Sequence, residues 1–231
     1  MNIPIIGAKR GFFVSMEGLD ATGKTTQAKL LQQALEMTGF KVKVVRAPGG
    51  CQLAESIRKI TKDPSIKMSA ESELLLMCAA TSQSAQEVIK PALDEGYVVI
   101  SDRYHFSTVS YQSARGLDPM FIKAALQFSL KDILPDVTFV LYLSKEETEK
   151  RRAKRNTTDR FEQENQEYLD KVRANYDWFC RQESTSNGRI IAIDTKDTIE
   201  NIHQEIYKCV AARLSVLPDS QLELAGKIIK P

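Results

Sequence analysis

Apolar residues along the chain fall into two kinds of run that alternate. Short, nearly continuous runs lie at Gly11–Glu17, Lys41–Ala47, Tyr97–Asp102, Val137–Leu143 and Arg189–Asp194, and longer segments between them carry apolar residues at helical spacing. Uninterrupted apolar runs suit strands buried on both faces, as in a parallel sheet. The alternation therefore predicts β-α-β units, an α/β fold with a five-stranded parallel sheet and helices on both faces. Helices are expected over Lys24–Thr38, ending at Gly39, and over Ala70–Lys90, stopping or kinking at Pro91. Further helices are expected at Lys145–Arg155, Glu162–Gln182 and Thr198–Arg213, with no internal repeat or low-complexity linker.

Composition narrows this without redirecting it. A chain of 231 residues with 42% hydrophobic content suffices for one core, so residues 1–231 read as a single domain. Its core spans about 11–213, with a short lid at about 150–162 and a C-terminal extension at 218–231. The formal charge is only +2, which gives no global signal for nucleic acid or an anionic membrane as partner. Cys51, Cys78, Cys180 and Cys209 are widely spaced, and only His105 and His203 could complete a zinc site, so reduced thiols are expected. No apolar stretch approaches the roughly 20 residues of a membrane span, and Met1–Arg10 lacks the apolar region of a secretory signal. A cytoplasmic protein is the expectation.

The run from Phe12 to Thr26 changes the picture most. An apolar strand leads directly into Gly18-Leu19-Asp20-Ala21-Thr22-Gly23-Lys24-Thr25 and then into a helical pattern, which is G-x-x-x-x-G-K-[ST] in the context a phosphate-binding loop requires. The glycines let successive N–H groups turn inward as a nest for phosphates. Lys24 can reach the β/γ oxygens, while Thr25 offers a hydroxyl to Mg²⁺. ATP and Mg²⁺ are the expected cofactors, with Gly18, Leu19, Asp20, Ala21, Thr22, Gly23, Lys24, Thr25 and Thr26 around the phosphates.

In an open parallel sheet ligands gather at the carboxyl ends of the strands. There the chain places Arg46-Ala47-Pro48-Gly49-Gly50, Asp102-Arg103-Tyr104, and a basic helix with Arg151, Arg152, Lys154 and Arg155. Asp102 suits a Mg²⁺ or Mg²⁺-water contact beside Thr25, and Arg103 can fork onto a phosphate. The alternative for Asp102-Arg103 is a structural ion pair capping the sheet. Ala21 and Thr22 leave the phosphate loop without an arginine, so cations for a transferring phosphoryl group are expected from the basic segment acting as a lid. Cationic regions converging on one rim suggest two anionic substrates.

These residues resemble the thymidylate kinases, which move a phosphoryl group from ATP to deoxythymidine monophosphate (dTMP). The resemblance runs from about Gly11 to about Arg213. It rests on Glu17 to Leu31, on Arg46-x-Pro-Gly-Gly with Leu53-Ala54-Glu55 and Arg58, and on Ile89-Lys-Pro-Ala-Leu. Asp102-Arg-Tyr with Ser107-Thr-x-x-Tyr-Gln, and Asp159-Arg160-Phe161-Glu162, complete it. Lid arginines in place of a phosphate-loop arginine resemble the bacterial type. The resemblance implies that Asp20 holds the acceptor's 3′-hydroxyl, that Arg58 and Arg103 grip its phosphate, and that Tyr111 packs against its sugar. Thr108 and Gln112 would lie near the base, with Pro48 and Ser107 in the same acceptor set. Arg151, Arg155 and Arg160 would contact ATP or the transferring group, with Lys24, Asp20, Arg103, Arg151 and Arg155 as the catalytic set and Glu162 supporting a lid cation. A homodimer using small-molecule nucleotides, without nucleic acid or membrane, is implied.

The departures fall on base recognition. Thymidylate kinases usually carry a phenylalanine that stacks on thymine and, four residues later, an arginine that bonds it; here these positions read Met77 and Thr81. An i, i+4 pair shares one helical face, so both changes alter the same wall. Either dTMP is bound through reordered contacts, or the pocket accepts another or a modified pyrimidine deoxynucleotide. Ala47, where bacterial-type members often have glutamate, is expected to loosen its loop.

Overall fold

A computed structural model describes residues 10–153, 159–161 and 163–214 of the protein. Its strands are β1 (Phe12–Glu17), β2 (Val42–Arg46), β3 (Val98–Asp102), β4 (Val137–Tyr142) and β5 (Ile190–Asp194). No boundary shifts by more than one residue from the apolar runs that predict them. The five strands form one sheet in the order β2-β3-β1-β4-β5, and every pairing is parallel.

β1 is buried along its whole length, and its alternation sorts the two cores. Phe12, Val14 and Met16 meet Leu31 and Leu35 of α1 (Lys24–Met37) and Ile206 and Val210 of α9 (Ile199–Arg213). Phe13 turns to the opposite face, where it joins Val99, Leu74 of α3 (Ala70–Ser84) and Ile122 of α6 (Pro119–Leu130). Each such fully buried apolar side chain contributes about 1.5–3 kcal/mol by leaving water. On that same face α8 (Gln166–Arg181) adds Val172, Tyr176 and Phe179 against Tyr111 of α5 (His105–Ala114). Gly11 enters β1 so close to β3 that a Cβ would stand 1.9 Å from the Tyr97 carbonyl oxygen, which excludes any side chain there.

Three helices were not evident from the pattern: α2 (Gln52–Lys62), α5 and α6. The expected helix over Ala70–Lys90 does not stop at Pro91. It passes from α3 through a π turn at Ala85–Ile89 into α4 (Lys90–Asp94), with the Lys90 N–H donating to the carbonyl five residues back at Ala85. A proline lacks the N–H and crowds the carbonyl four residues before it; the wider π turn takes the chain past that obstacle, and the helix ends before Gly96. α8 begins later than expected because Asn165 caps it, accepting from the Tyr168 N–H at 2.9 Å. α7 (Lys145–Ala153) holds the basic run as far as it is described. Lys154, Arg155, Glu162 and the extension at 218–231 lie outside the described residues.

Candidate active site

The phosphate-binding loop joins β1 to α1 at the center of the sheet. Gly18, Ala21 and Gly23 have φ of 132°, 69° and 98°, values that turn the backbone out of the ordinary regions. At Gly18 a Cβ would also stand 2.1 Å from the Leu141 carbonyl, so both conformation and space demand glycine. Thr22 and Lys24 donate to the Leu19 carbonyl at 2.9 and 2.7 Å, drawing the loop into a closed turn around the Lys24 ammonium. Burial and the neighboring Arg103 charge pull Lys24 down to about 8, against the opposing pull of Asp20, Asp102 and Glu17. An anion arriving there would replace a missing counter-charge. Thr25 donates to Asp102 at 2.5 Å, so α1 and the end of β3 meet as the sequence anticipated.

A cavity of about 360 Å³ opens beside this loop, and all of the expected acceptor residues line it: Asp20, Pro48, Arg58, Met77, Thr81, Arg103, Ser107, Thr108, Tyr111 and Gln112. Arg103 is its hub. A φ of 72° at Arg103 swings the side chain from the end of β3 toward the phosphate-binding loop. Its guanidinium donates to Asp20 at 2.7 Å, to the Gly18 carbonyl at 2.9 Å, and to Ser107 and the Tyr176 hydroxyl at 3.0 and 3.2 Å. Burial would raise the Asp20 carboxyl, but Arg103 and Lys24 outweigh it and hold it well below the usual range. The ion pair of Arg103 is thus with Asp20 of the phosphate-binding loop rather than with Asp102 beside it.

The opposite wall comes from the loop after β2. Arg58 donates to the Pro48 carbonyl at 3.0 Å, and burial in that cationic corner lowers it from its ordinary value. Arg46 forks onto Glu55, which also accepts from the Gly50 N–H at 3.0 Å. The loop is therefore fastened from α2, so alanine at position 47 does not leave it loose. Met77 and Thr81 sit one turn apart on α3; the Thr81 hydroxyl donates to the Met77 carbonyl at 2.7 Å, inside its own helix.

The lid residues separate. Arg151 donates to the Thr195 carbonyl at 3.0 Å and pairs with Glu147, beside the end of β5. Arg160 donates to the Thr61 carbonyl at 2.9 Å and forms an ion pair with Glu73 of α3. Neither lines the cavity, whereas their neighbors Asp159 and Phe161 do. Arg155 lies outside the described residues.

Sequence reasoning passed over three residues that build this site. Glu17 is fully buried beneath Arg103 and accepts from the Tyr104 N–H at 2.8 Å and from Ser107 at 2.6 Å. Burial drives its carboxyl up from the ordinary value against those bonds and the Arg103 charge. A charge closing an otherwise apolar run was the signal. Tyr176 also reaches Glu17, at 3.3 Å from α8, and Glu73 holds Arg160, Arg115 and Gln112 together. His105, by contrast, is half-buried, is brought down to about 4 by the loss of water around its ring, and does not line the cavity.

Sequence matches to known proteins point to one family. A family model described as Thymidylate kinase matches residues 16–206. A thymidylate kinase of Halothermothrix orenii is 37% identical over 202 residues, covering 86% of this chain and 95% of that protein. One from Prochlorococcus marinus is 40% identical over 210 residues, covering 87% and 98%, and one from Pseudomonas syringae pv. syringae is 40% identical over 194, covering 83% and 91%. With a phosphate-binding loop and an arginine-lined cavity at the strand ends, and with matches over most of its length, the chain belongs to the thymidylate kinase family.

Proposed function

We propose that this protein transfers the γ-phosphoryl group of ATP to dTMP, giving ADP and dTDP. The observation that carries the reading is that the Lys24 loop, Arg103 bonded to that loop, and Arg58 from α2 all line one cavity. Two anionic nucleotides in such a cavity meet phosphate to phosphate, and transfer between them needs alignment and charge neutralization, with no protein nucleophile. Lys24 and the loop N–H groups hold the donor phosphates; Arg58 and Arg103 fork onto the acceptor phosphate. Asp20, ionized and fixed by Arg103, accepts from the acceptor's 3′-hydroxyl, and Tyr111 backs the sugar. Arg151, Arg155 and Arg160 carry the lid contribution. Arg151 and Arg155 act on the donor phosphates, and Arg160 anchors the lid's return to α3.

Thr25 and Asp102 fit Mg²⁺. They give a hydroxyl and a carboxylate side by side, and among the described residues no cluster of three or more His, Cys, Asp or Glu competes as a cage. That sparse oxygen set suits an ion that keeps its waters and takes phosphate oxygens. When bound, it would neutralize charge on the transferring group.

The family uses ATP and small nucleotide substrates, and no described helix is long and apolar enough to cross a membrane. We assign the enzyme to the cytoplasm, where its free cysteines would stay reduced. We read it as a homodimer. Leu53 and Ile60 on α2, Leu75 on α3, and Phe121 and Phe128 on α6 are exposed, Phe128 by 87%. α2 and α6 both pack on α3. Residues seven apart share a helical face, so these side chains form an apolar surface suited to a second copy of the chain. We treat residues 1–231 as one kinase domain with the lid at about 150–162.

A second reading has one specific support. Met77 and Thr81 replace the usual stacking and bonding pair, which suits a different or modified pyrimidine. ADP release measured with dTMP, dUMP, dCMP and purine monophosphates tests both. We expect release that depends on dTMP and disappears in Lys24→Ala. Preference for another pyrimidine would select the second reading, and slow release without any acceptor would reject both in favor of an ATP-binding switch.

A further inference from the structure

Among the described residues, the cations that line the cavity are Lys24, Arg46, Arg58, Lys62 and Arg103. Lys24 belongs to the phosphate-binding loop, Arg58 and Arg103 take the acceptor phosphate, and Arg46 is spent on Glu55. Lys62 has no part in any of this. It is the last residue of α2, and its ammonium forms an ion pair with Asp159, which lines the same cavity. Three observations put that pair at the wall formed by α3. Arg160 donates to the Lys62 and Thr61 carbonyls and pairs with Glu73, so the end of α2 lies against α3 one turn before Met77. Glu73, Met77 and Thr81 then follow one another along a single helical face. Asp159 accepts from the Phe161 N–H at 3.0 Å, and Phe161 shares an apolar cluster with Met77. Finally, the Lys62 charge is felt at Asp20, but less than those of Arg103 and Lys24, so Lys62 stands farther from the phosphate-binding loop than they do.

We propose that Lys62 is a specificity residue that donates to the oxygen at position 4 of the acceptor pyrimidine, in place of the arginine missing at position 81. This rests on the reading that the acceptor is a pyrimidine deoxynucleotide with its phosphate at Arg58 and Arg103 and its 3′-hydroxyl at Asp20. Position 4 lies directly across the ring from N1, which bears the sugar, so it reaches farthest toward the α3 wall. Thr81 does not replace the arginine, because its hydroxyl donates to the Met77 carbonyl. An ammonium has three N–H donors: one stays with Asp159, which aims the group, and another meets the base. The Lys62 side chain is 36% exposed, so its ammonium is accessible to a ligand. Thymine and uracil carry an oxygen at position 4. Cytosine carries an amino group there, and a donor then faces a donor.

The test is the ratio of kcat/KM for dUMP over dCMP, a pair that differs at position 4 and N3 and lacks the methyl group. Wild-type protein should favor dUMP. Lys62→Met keeps the length of the side chain without its donors, and the ratio should fall about tenfold or more through the KM for dUMP, with KM for ATP within about twofold of wild type. Lys62→Gln leaves a neutral donor on a shorter side chain and should lower the ratio in the same direction; it decides the matter if the methionine variant does not fold. Equal losses toward dUMP and dCMP would place Lys62 at a group both nucleotides share, such as the phosphate, and would overturn the proposal. So would an unchanged ratio, or a wild type indifferent between the two. Wild-type protein showing no acceptor-dependent turnover at all would instead defeat the kinase reading on which the proposal rests.

Discussion

Lys24 carries the sharpest consequence at the scale of single residues. Burial and Arg103 bring it to about 8 from an ordinary 10.5, so in the free protein it loses its proton near pH 8. A triphosphate beside it restores the charge. ATP binding should then take up a proton near pH 8, and affinity should fall as pH rises above 8, approaching tenfold per unit. Stability of the free protein runs the other way. Between about 8 and 10.5 the unfolded chain holds more protons at this lysine than the folded one, so stability gains as pH rises through that window. Calorimetry in buffers of different ionization enthalpy reads the uptake, and Lys24→Met should abolish it. Binding that is flat from pH 7 to 9.5 would contradict the assignment. The phosphate-binding residues were legible because their chemistry is local: a strand, glycines at fixed spacing, a lysine and a hydroxyl. Glu17 and Glu73 were not, since each acts on partners distant in sequence, Glu17 on Ser107 and Tyr176, Glu73 on Gln112 and Arg160.

Among elements, the strands were read from sequence almost to the residue: β1, β3 and β4 are buried nearly throughout and so almost wholly apolar, while the partly exposed edge strands β2 and β5 still carry runs of valine and isoleucine. Helices fared unevenly. α5 escaped notice because its buried positions include the polar Thr108, Ser110 and Gln112, of which Thr108 and Gln112 line the cavity. α6 did carry a start signal in Asp118-Pro119, where the aspartate caps the Met120 N–H at 2.8 Å. The sequence left a stop or a kink at Pro91 open; the π turn that carries the helix past it has no signal of its own in the residues. It matters to the site through continuity. α3 carries Glu73, Met77 and Thr81, and the unbroken helix onward to α4 packs Ala85, Ile89 and Leu93 into the core beneath β3. The base wall is thereby tied to the center of the sheet.

At the scale of the molecule, the strand order puts β1 between β3 and β4 and makes its carboxyl end the meeting point of both halves. The cavity beside the phosphate-binding loop, lined from both β1 and β3, follows from that one choice. The outer face of α2, α3 and α6 yields a further expectation. Phe128→Glu should leave the cavity intact and shift the protein from dimer to monomer, or weaken dimerization at least about tenfold, in sedimentation velocity across a dilution series. A wild type that sediments as a monomer at micromolar concentration would refute the dimer.

The central claim is that one cavity holds two nucleotides end to end across Lys24, Arg58 and Arg103. The most direct measurement is the affinity of adenosine and thymidine joined 5′ to 5′ through a chain of phosphates, compared with ATP and dTMP alone. Both ends engaging at once should make the joined compound bind at least about a hundredfold more tightly than either nucleotide, with the gain lost in Arg103→Ala. Binding no tighter than ATP, and indifferent to Arg103, would contradict the account.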